Sequence, residues 1–351
     1  MRKKIVLFIS LLLVASIALA ACQTTTPPAG EEPPVAEDKV KVCQITDTGG
    51  IDDKSFNATA WKGIQDAEAV HGIEGKFLES KEVADYEKFL NAFLEEGCDL
   101  IVTVGFLIGD ATQAAAEANP DSKYSIVDYN YDPAIPNVVG QIFDTDEAGA
   151  LAGYLAAGVT QTGIVGTFGG LPIPTVTIFM DGFVKGVELY NQAKGTDVKV
   201  LGWDVESQTG LFSNSFDDQQ KGNELAKSLM DEGADIIMPV AGPVGLGAAA
   251  AIKERGNAYL IGVDSDWALT SPEYADITLT SVMKMMDATT LEVITSVLDG
   301  TFAGGDVVGT LANGGVAIAP YHDLASLVPA ELTAEIEQLK ADIISGAVSL
   351  D

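Results

Sequence analysis

Residues 46–57, with the sequence TDTGGIDDKSFN, bring carboxylates, an amide, two adjacent glycines and an aromatic ring into one short turn. Phe56 lies between polar neighbours and offers one flat apolar face among several hydrogen-bonding groups. An apolar segment at residues 40–45 precedes the turn, and a segment with helical spacing at residues 58–70 follows it. Open α/β sheets bind ligands at turns that follow the carboxyl ends of their strands. The turn is therefore a candidate binding site.

Other predicted strand ends also carry polar groups. These groups are Asp128, Gly242, Asp264, Asp266 and Lys284, and a separate turn contains Phe212, Phe216, Asp217 and Asp218. Any one of these residues alone is better explained as a helix cap or a loop residue than as a ligand contact. Lys284 has methionines on both sides, so it needs a carboxylate or a ligand hydroxyl as partner unless its ammonium group reaches solvent.

Apolar strands alternate with amphipathic helices along the chain. The strands are predicted at residues 40–45, 76–79, 100–104, 123–127, 138–142, 163–166, 198–201, 236–240, 259–263 and 277–281. The helices are predicted at residues 55–71, 85–96, 109–118, 147–157, 178–191, 219–232, 244–255, 283–298 and 330–345. This alternation predicts parallel sheets covered by helices. Ten strands favour two sheets of five or six over one large sheet.

A weak internal repeat supports two similar α/β lobes. The strand, glycine turn and helix at residues 42–70 recur at residues 163–190, and EEGCDLI at residues 95–101 recurs as DEGADII at residues 231–237. We predict hinge crossings near residues 144–147, 264–267 and 301–305. The first lobe then comprises residues 39–146 and about 265–302, and the second comprises residues 147–264 and about 303–351. The predicted site residues would converge in the cleft between the lobes.

The amino terminus predicts export and anchoring. Three basic residues precede an apolar run that ends in small residues, which is typical of a signal peptide over residues 1–21. The run ends in LAAC, which resembles the bacterial lipobox, so Cys22 is the expected lipidation site; an ordinary signal peptide is the alternative. Residues 22–38 are polar and rich in proline and predict a flexible tether. We expect a lipid-anchored protein on the extracytoplasmic face of the cell membrane.

Composition excludes several classes of function. The formal net charge of −31 disfavours nucleic acid as a partner. No cysteine or histidine spacing matches a metal site, so no metal or cofactor is expected. Cys43 and Cys98 fall in or beside predicted strands. Buried free thiols are favoured for them, and a disulfide stays open because sequence does not give their separation.

Seven motifs in order resemble the basic membrane lipoprotein family, whose best-understood members are purine nucleoside receptors of ABC transporters. They are residues 46–57, GGLPIP at 169–174, DGF at 181–183, SFDD at 215–218, AGPVGLG at 241–247, GVDSD at 262–266 and SVMK at 281–284. The resemblance runs from about Lys39 to Ala319. It implies the type I periplasmic-binding-protein fold, with two Rossmann-like lobes and three hinge crossings that close over a ligand.

The resemblance also implies a ligand and roles for the site residues. A purine nucleoside such as guanosine, inosine or adenosine would stack on Phe56 and on a second aromatic from the other lobe, Phe216 or the nearby Phe212. The family pattern assigns the base edge to Asp47 and Asn57, and the ribose hydroxyls to Asp128, Gly242, Asp264 and Lys284. Asp52 and Asp53 would shape and cap the turn. The partners implied are the permease and ATPase subunits of an ABC transporter, with the binding protein itself a monomer.

Two alternatives remain at this stage. The same fold could bind a sugar or another small metabolite, because fold alone does not choose a ligand. A nucleoside hydrolase would instead use an aspartate-rich turn to bind Ca²⁺. This chain has Thr46 and Thr48 where two of those aspartates belong, and a hard cation needs several oxygen ligands. We therefore expect a binding protein and not an enzyme.

Overall fold

The computed structural model describes residues 39–350. The predicted signal peptide of residues 1–21 and the tether of residues 22–38, including Cys22, lie outside the described residues. From Lys39 onward the chain forms one compact unit. Within the described residues, no helix combines the length and the apolar character needed to cross a membrane.

Fourteen strands are found in residues 39–350. They are β1 (Lys41–Thr46), β2 (Glu74–Glu79), β3 (Leu100–Val104), β4 (Tyr124–Val127), β5 (Val138–Phe143), β6 (Ile164–Gly169), β7 (Lys199–Leu201), β8 (Trp203–Asp204), β9 (Thr209–Gly210), β10 (Ile236–Val240), β11 (Tyr259–Asp264), β12 (Thr278–Lys284), β13 (Gly305–Gly309) and β14 (Val316–Ile318). The ten predicted strands are confirmed. The other four strands, β8, β9, β13 and β14, are short or glycine-rich, so they carry little apolar alternation from which to predict them.

Ten α-helices occupy the connections in the same residues. They are α1 (Phe56–His71), α2 (Asp85–Glu96), α3 (Gly109–Ala118), α4 (Thr145–Val159), α5 (Pro174–Lys194), α6 (Gln219–Asp231), α7 (Val244–Arg255), α8 (Trp267–Thr270), α9 (Met286–Leu298) and α10 (Ala330–Ile344). Short 3₁₀ helices lie at Phe106–Ile108, Pro272–Tyr274 and His322–Leu327. The nine predicted helices are confirmed, and α8 gives no periodic signal because it is a single turn.

Two six-stranded sheets form the cores of two lobes. The first has the strand order β13-β5-β4-β3-β1-β2 with every pair parallel, and the second has the order β14-β12-β11-β10-β6-β7. In the second sheet, as described, only the β12–β14 pair is antiparallel. The inner strands are continuously buried, as in β3 and β10, because helices cover both faces of each sheet. The predicted two-lobe α/β fold is confirmed.

Two of the three crossings between the lobes lie at different places from those predicted. The first crossing is at Asp144, between β5 and α4, as expected. The second is at Met285, because β12 belongs to the second sheet while α9 packs on α1 in the first lobe. The third follows β13, which belongs to the first sheet. The predicted crossings near residues 264–267 and 301–305 are therefore wrong, and so are the lobe limits drawn from them.

The corrected lobes are residues 39–143 with 286–309, and residues 145–284 with 316–350. The second crossing gives no sequence signal because β12 passes into α9 through an apolar segment without a glycine or proline. Backbone hydrogen bonds tie the crossings together, from Asp144 to Gly309 at 2.9 Å and from Met285 to Gly315 at 2.9 Å.

Cys43 and Cys98 form a disulfide that joins β1 to the segment before β3, with a Cα–Cα distance of 6.1 Å. The expectation of free thiols is therefore wrong. Sequence does not show the pairing because the two residues are 55 positions apart, and only the parallel pairing of β1 with β3 brings them together.

Candidate functional site

A cavity lies where the carboxyl ends of the two sheets face each other. It encloses about 620 Å³, including the part that is open to solvent. The first lobe lines it with Asp47, Gly49, Asp53, Phe56, Gly105, Phe106, Leu107 and Asp128. The second lobe lines it with Ile173, Thr175, Val176, Phe179, Phe216, Val240, Ala241, Gly242, Pro243, Val263, Asp264 and Lys284. Seven of the eight predicted ligand-binding residues are thus brought together.

The first-lobe wall is held by the carboxylate of Asp53. Its two oxygens accept from the backbone N–H groups of Ser55 (3.0 Å), Asn57 (2.7 Å) and Ala58 (3.0 Å), and from the Asn57 side-chain amide (3.0 Å). The Asn57 and Ala58 donors are two of the unpaired N–H groups in the first turn of α1. Asp53 therefore caps α1 and fixes the turn, as expected, although it also lines the cavity. Asp52 is exposed.

The eighth predicted contact, Asn57, does not line the cavity. It is fully buried, its Oδ1 accepts from the Asp47 backbone N–H at 3.1 Å, and its Nδ2 donates to Asp47 Oδ1 at 2.6 Å. Both polar atoms of its amide are therefore used inside the protein. The structure assigns Asn57 the task of orienting Asp47, whose other oxygen, Oδ2, lies on the side of Gly105.

Two aromatic rings reach the cavity from opposite lobes. Phe56 begins α1 in the first lobe, and Phe216 comes from the loop before α6 in the second. Phe216 lies close on Gly170, where an added Cβ would be 2.2 Å from its Cε1. Phe212 instead packs against Trp203, with ring centroids 5.8 Å apart. Of the two candidates for the second aromatic, Phe216 is the one that faces the cavity.

Lys284 is the cation of the site. Its ammonium group is buried and lies 2.6 and 2.9 Å from the carboxylate oxygens of Asp128 and 3.9 Å from Asp264. It also lies 5.2, 5.7 and 5.0 Å from the ring centroids of Phe56, Phe143 and Phe179, within the range of cation–π attraction. Asp128 is therefore the carboxylate partner that a buried lysine among apolar neighbours requires.

The two aspartates beside Lys284 occupy equivalent places in the two lobes. Asp128 follows β4 and Asp264 ends β11, and both have left-handed backbones, with φ of 66° and 68°. This conformation is uncommon outside glycine, although aspartate tolerates it better than most residues. Strained backbone conformations of this kind occur more often at functional sites than elsewhere. In the second lobe Gly242 also has a positive φ, of 52°.

Burial sets the protonation of the acidic side chains. It raises the pKa of Asp264 to about 6, against the attraction of Lys284, and it raises the pKa of Asp53 to about 6, against the N–H groups that bind its carboxylate. Burial also raises the pKa of Asp47 and of Asp128 above the ordinary aspartate value. The ammonium group of Lys284 acts against burial and lowers the pKa of Asp128. The cavity therefore concentrates carboxylates that gain from hydrogen-bond donors on a ligand.

Direct hydrogen bonds join the two lobes beside the cavity. Ser55 Oγ donates to the Val263 carbonyl and to Asp264 Oδ2, both at 3.0 Å. Ser265 Oγ donates to the Lys54 carbonyl at 2.9 Å. The described conformation is therefore closed, with lobe-to-lobe contacts beside the cavity.

Other residues take places that the sequence did not assign. Gly105, Phe106, Thr175 and Phe179 line the cavity although they were not predicted. Gly105 directly follows an apolar strand, which is the same signal that indicated Asp128. Asp218, by contrast, has the cap role that the sequence indicates for Asp217 or Asp218: it accepts from the Lys221 N–H at the start of α6 at 3.0 Å. Asp266 caps α8 and contacts His322 Nε2 at 2.7 Å. Within residues 39–350, no group of three or more histidine, cysteine or acidic side chains could hold a metal ion.

Comparison with known proteins agrees with this geometry. Residues 40–351 match the family Bmp, described as ABC transporter substrate-binding protein PnrA-like. The chain belongs to this family. It is an ABC transporter substrate-binding protein of the Bmp family, which confirms the resemblance found in the sequence. The family consists of binding proteins, and this agrees with the expectation that the chain is not a nucleoside hydrolase.

Individual Bmp relatives cover nearly the whole chain. The ABC transporter nucleoside-binding protein BmpA of Lactococcus lactis is 29% identical, over 99% of each protein. Basic membrane protein A of Borreliella burgdorferi is 32% identical, over 95% of this chain and 92% of that protein. A solved ABC transporter solute-binding protein from Aeropyrum pernix superposes with a TM-score of 0.80 at 28% identity, over 88% of this chain and 92% of that one. The predicted type I binding-protein fold is confirmed.

Proposed function

We propose that this protein captures purine nucleosides of the guanosine, inosine and adenosine class outside the cytoplasm and delivers them to the permease of an ABC transporter. The observation that carries the proposal is the pairing of Phe56 and Phe216, which reach one cavity from opposite lobes. A planar base has two faces to stack, whereas a small sugar can use one ring. A relative whose name includes nucleoside binding supports the same ligand class.

The polar groups of the cavity suit a neutral nucleoside. Ribose hydroxyls are donors that match the buried carboxylates of Asp128 and Asp264, and they also accept, which matches the ammonium group of Lys284. Asp47 would bind donors on the base edge through Oδ2, because its Oδ1 already accepts from Asn57 and Gly49. Asn57 would then act through Asp47 without touching the ligand.

The proposal includes a lipid anchor at Cys22 on the extracytoplasmic side of the membrane. The Cys43–Cys98 disulfide supports this location, because structural disulfides persist in oxidising compartments. Mass spectrometry of the membrane-extracted protein should show a diacylglyceryl group on Cys22, and Cys22→Ser should release the protein into the soluble fraction. An unmodified Cys22 in the mature protein would contradict the anchor.

Calorimetry on purified protein without residues 1–22 tests the ligand. We expect guanosine, inosine or adenosine to bind in the micromolar range or tighter. Phe56→Ala should weaken binding about 5- to 150-fold, because one base–aromatic stack contributes about 1–3 kcal/mol. The matched control is Asp52→Ala in the same turn, whose exposed side chain lies outside the cavity, and it should bind as the parent does. Heat with a sugar but with no purine nucleoside would overturn the proposal.

A further inference from the structure

A second compartment borders the Asp128–Lys284 ion pair. This compartment encloses about 840 Å³, including its open side. It shares Phe106, Asp128, Thr175 and Lys284 with the first cavity, so the two adjoin along these residues. Its remaining walls are Tyr129, Asn130, Ile142, Phe143, Thr145, Pro174 and Ile178.

The residues that line the second compartment favour an uncharged ligand group over a charged one. Most of its walls are aromatic or aliphatic, and Lys284 is the single basic side chain among the described residues that line either compartment. That ammonium group is already paired with Asp128. An anionic group placed here would meet the buried carboxylate of Asp128 with no free cation among these lining residues to balance it.

One polar atom in this wall has no partner in the protein. Thr145 lies at the first crossing, is fully buried and lines the compartment, and its Oγ1 makes no hydrogen bond in the described structure. A buried hydroxyl without a partner is costly. Thr145 Oγ1 is therefore a buried hydrogen-bonding group of this lining that no protein atom uses in the described structure.

We propose that this second compartment receives an uncharged, largely apolar substituent at the 5′ position of a purine nucleoside. The inference rests on the proposed function. If the base stacks between Phe56 and Phe216, and the vicinal 2′ and 3′ hydroxyls bind the carboxylates and the lysine, C5′ is the ribose substituent left to pass the Asp128–Lys284 pair. The chain would then take neutral 5′-substituted nucleosides, such as 5′-thioethers, as well as unmodified ones.

Calorimetry with a matched pair of ligands tests the inference on purified protein without residues 1–22. 5′-Methylthioadenosine and 5′-deoxyadenosine differ only by the thioether group. We expect the thioether to bind about tenfold more tightly, from the burial of its added apolar surface. Adenosine 5′-phosphate should bind at least about 30-fold more weakly than adenosine, because its charge is unpaired in the compartment.

A variant that fills the compartment separates this inference from a general effect on the site. Ile178 is half-buried, lies on α5 and lines only the second compartment. Ile178→Trp should remove the advantage of the thioether and change adenosine affinity less than about twofold. The matched control is Thr177→Trp, which introduces the same side chain at a neighbouring position outside the lining and should keep the advantage.

The outcomes distinguish the two proposals. Failure of adenosine to bind the parent protein would overturn the proposed function and this inference with it. Adenosine binding combined with a thioether that binds no better than 5′-deoxyadenosine would overturn the inference alone. The same holds if the phosphate binds as well as adenosine, or if Ile178→Trp leaves the thioether advantage intact.

Discussion

The two lobes have nearly the same sheet, yet they build their halves of the cavity in different ways. In the first lobe a network of buried side-chain hydrogen bonds, centred on Asp53 and Asn57, fixes the turn before α1. In the second lobe the corresponding wall depends on backbone conformation and close packing, as at Gly242 and at the contact of Phe216 with Gly170. Equivalent positions in a duplicated architecture can therefore be made rigid by different physical means.

The largest effect should come from breaking the first-lobe network. Asp53→Ala removes the acceptor for four N–H groups, so we expect the free energy of unfolding to fall by about 3–4 kcal/mol, since hydrogen bonds to a charged group are strong and the buried donors lose their partner. Asp218→Ala is the second-lobe counterpart, because Asp218 also caps the helix after a site loop but is exposed and accepts one N–H. It should cost about 1 kcal/mol.

Urea denaturation of both variants measures this difference. If Asp53→Ala destabilises the protein no more than Asp218→Ala does, the first-lobe turn does not depend on the buried network and the contrast between the lobes is lost.

A smaller effect is expected from the second-lobe packing, and it should appear in binding more than in stability. Gly170→Ala places a Cβ 2.2 Å from the Phe216 ring, so the ring must move out of its position in the cavity. We expect nucleoside affinity to fall about tenfold with less than about 1 kcal/mol lost in unfolding free energy.

Gly49→Ala is the first-lobe control for this substitution. Its Cβ would lie 3.1 Å from Asp47 Oδ1 and 3.3 Å from Asn57 Nδ2, so the neighbours need to move by only a few tenths of an ångström. Calorimetry should show the smaller loss of affinity for Gly49→Ala, and the reverse order would contradict the packing argument.

The smallest effect is the pH dependence of the ligand-free protein. Because the pKa of Asp264 is raised to about 6 by burial, the folded protein holds this proton more tightly than the unfolded chain does. Its contribution to stability is fully present below the ordinary aspartate pKa and is lost as the pH rises through about 6. From Asp264 alone, the protein should be about 1 kcal/mol more stable at pH 5 than at pH 7.

Denaturation at both pH values, with Asp264→Asn beside the parent, isolates this contribution. In Asp264→Asn, the increase in unfolding free energy from pH 7 to pH 5 should be smaller than in the parent by about 1 kcal/mol. Asp52→Asn should show the same increase as the parent. An unchanged gain in Asp264→Asn would show that the proton is taken up elsewhere.

The amino-acid sequence is sufficient to predict the strands and helices in which apolar residues recur with a regular spacing. Strands such as β3 and helices such as α2 follow directly from apolar spacing. The rule that ligands bind at the carboxyl ends of parallel strands predicts that Asp128, Asp264 and Lys284 converge on one cleft, and all three line the cavity. Gly105 could have been found by the same rule. These features depend on local pattern and on the general topology of parallel sheets.

Other features depend on contacts between distant segments and could not be read locally. The crossing at Met285 has no loop signal, and the Cys43–Cys98 pairing follows from the order of β1 and β3 in the sheet. The role of Asn57 depends on which atoms surround its amide, and residue type does not reveal that both ends are already bonded.

The late position of β13 and β14 in the chain has a consequence for how the protein can be made. Each of these strands lies at the edge of its sheet, beside β5 and β12. Until the ribosome has synthesised them, β5 and β12 have unpaired edges that are open to pairing with other chains. Both lobes therefore become complete only in the last part of synthesis, and neither can be expressed by itself as one uninterrupted stretch of the polypeptide.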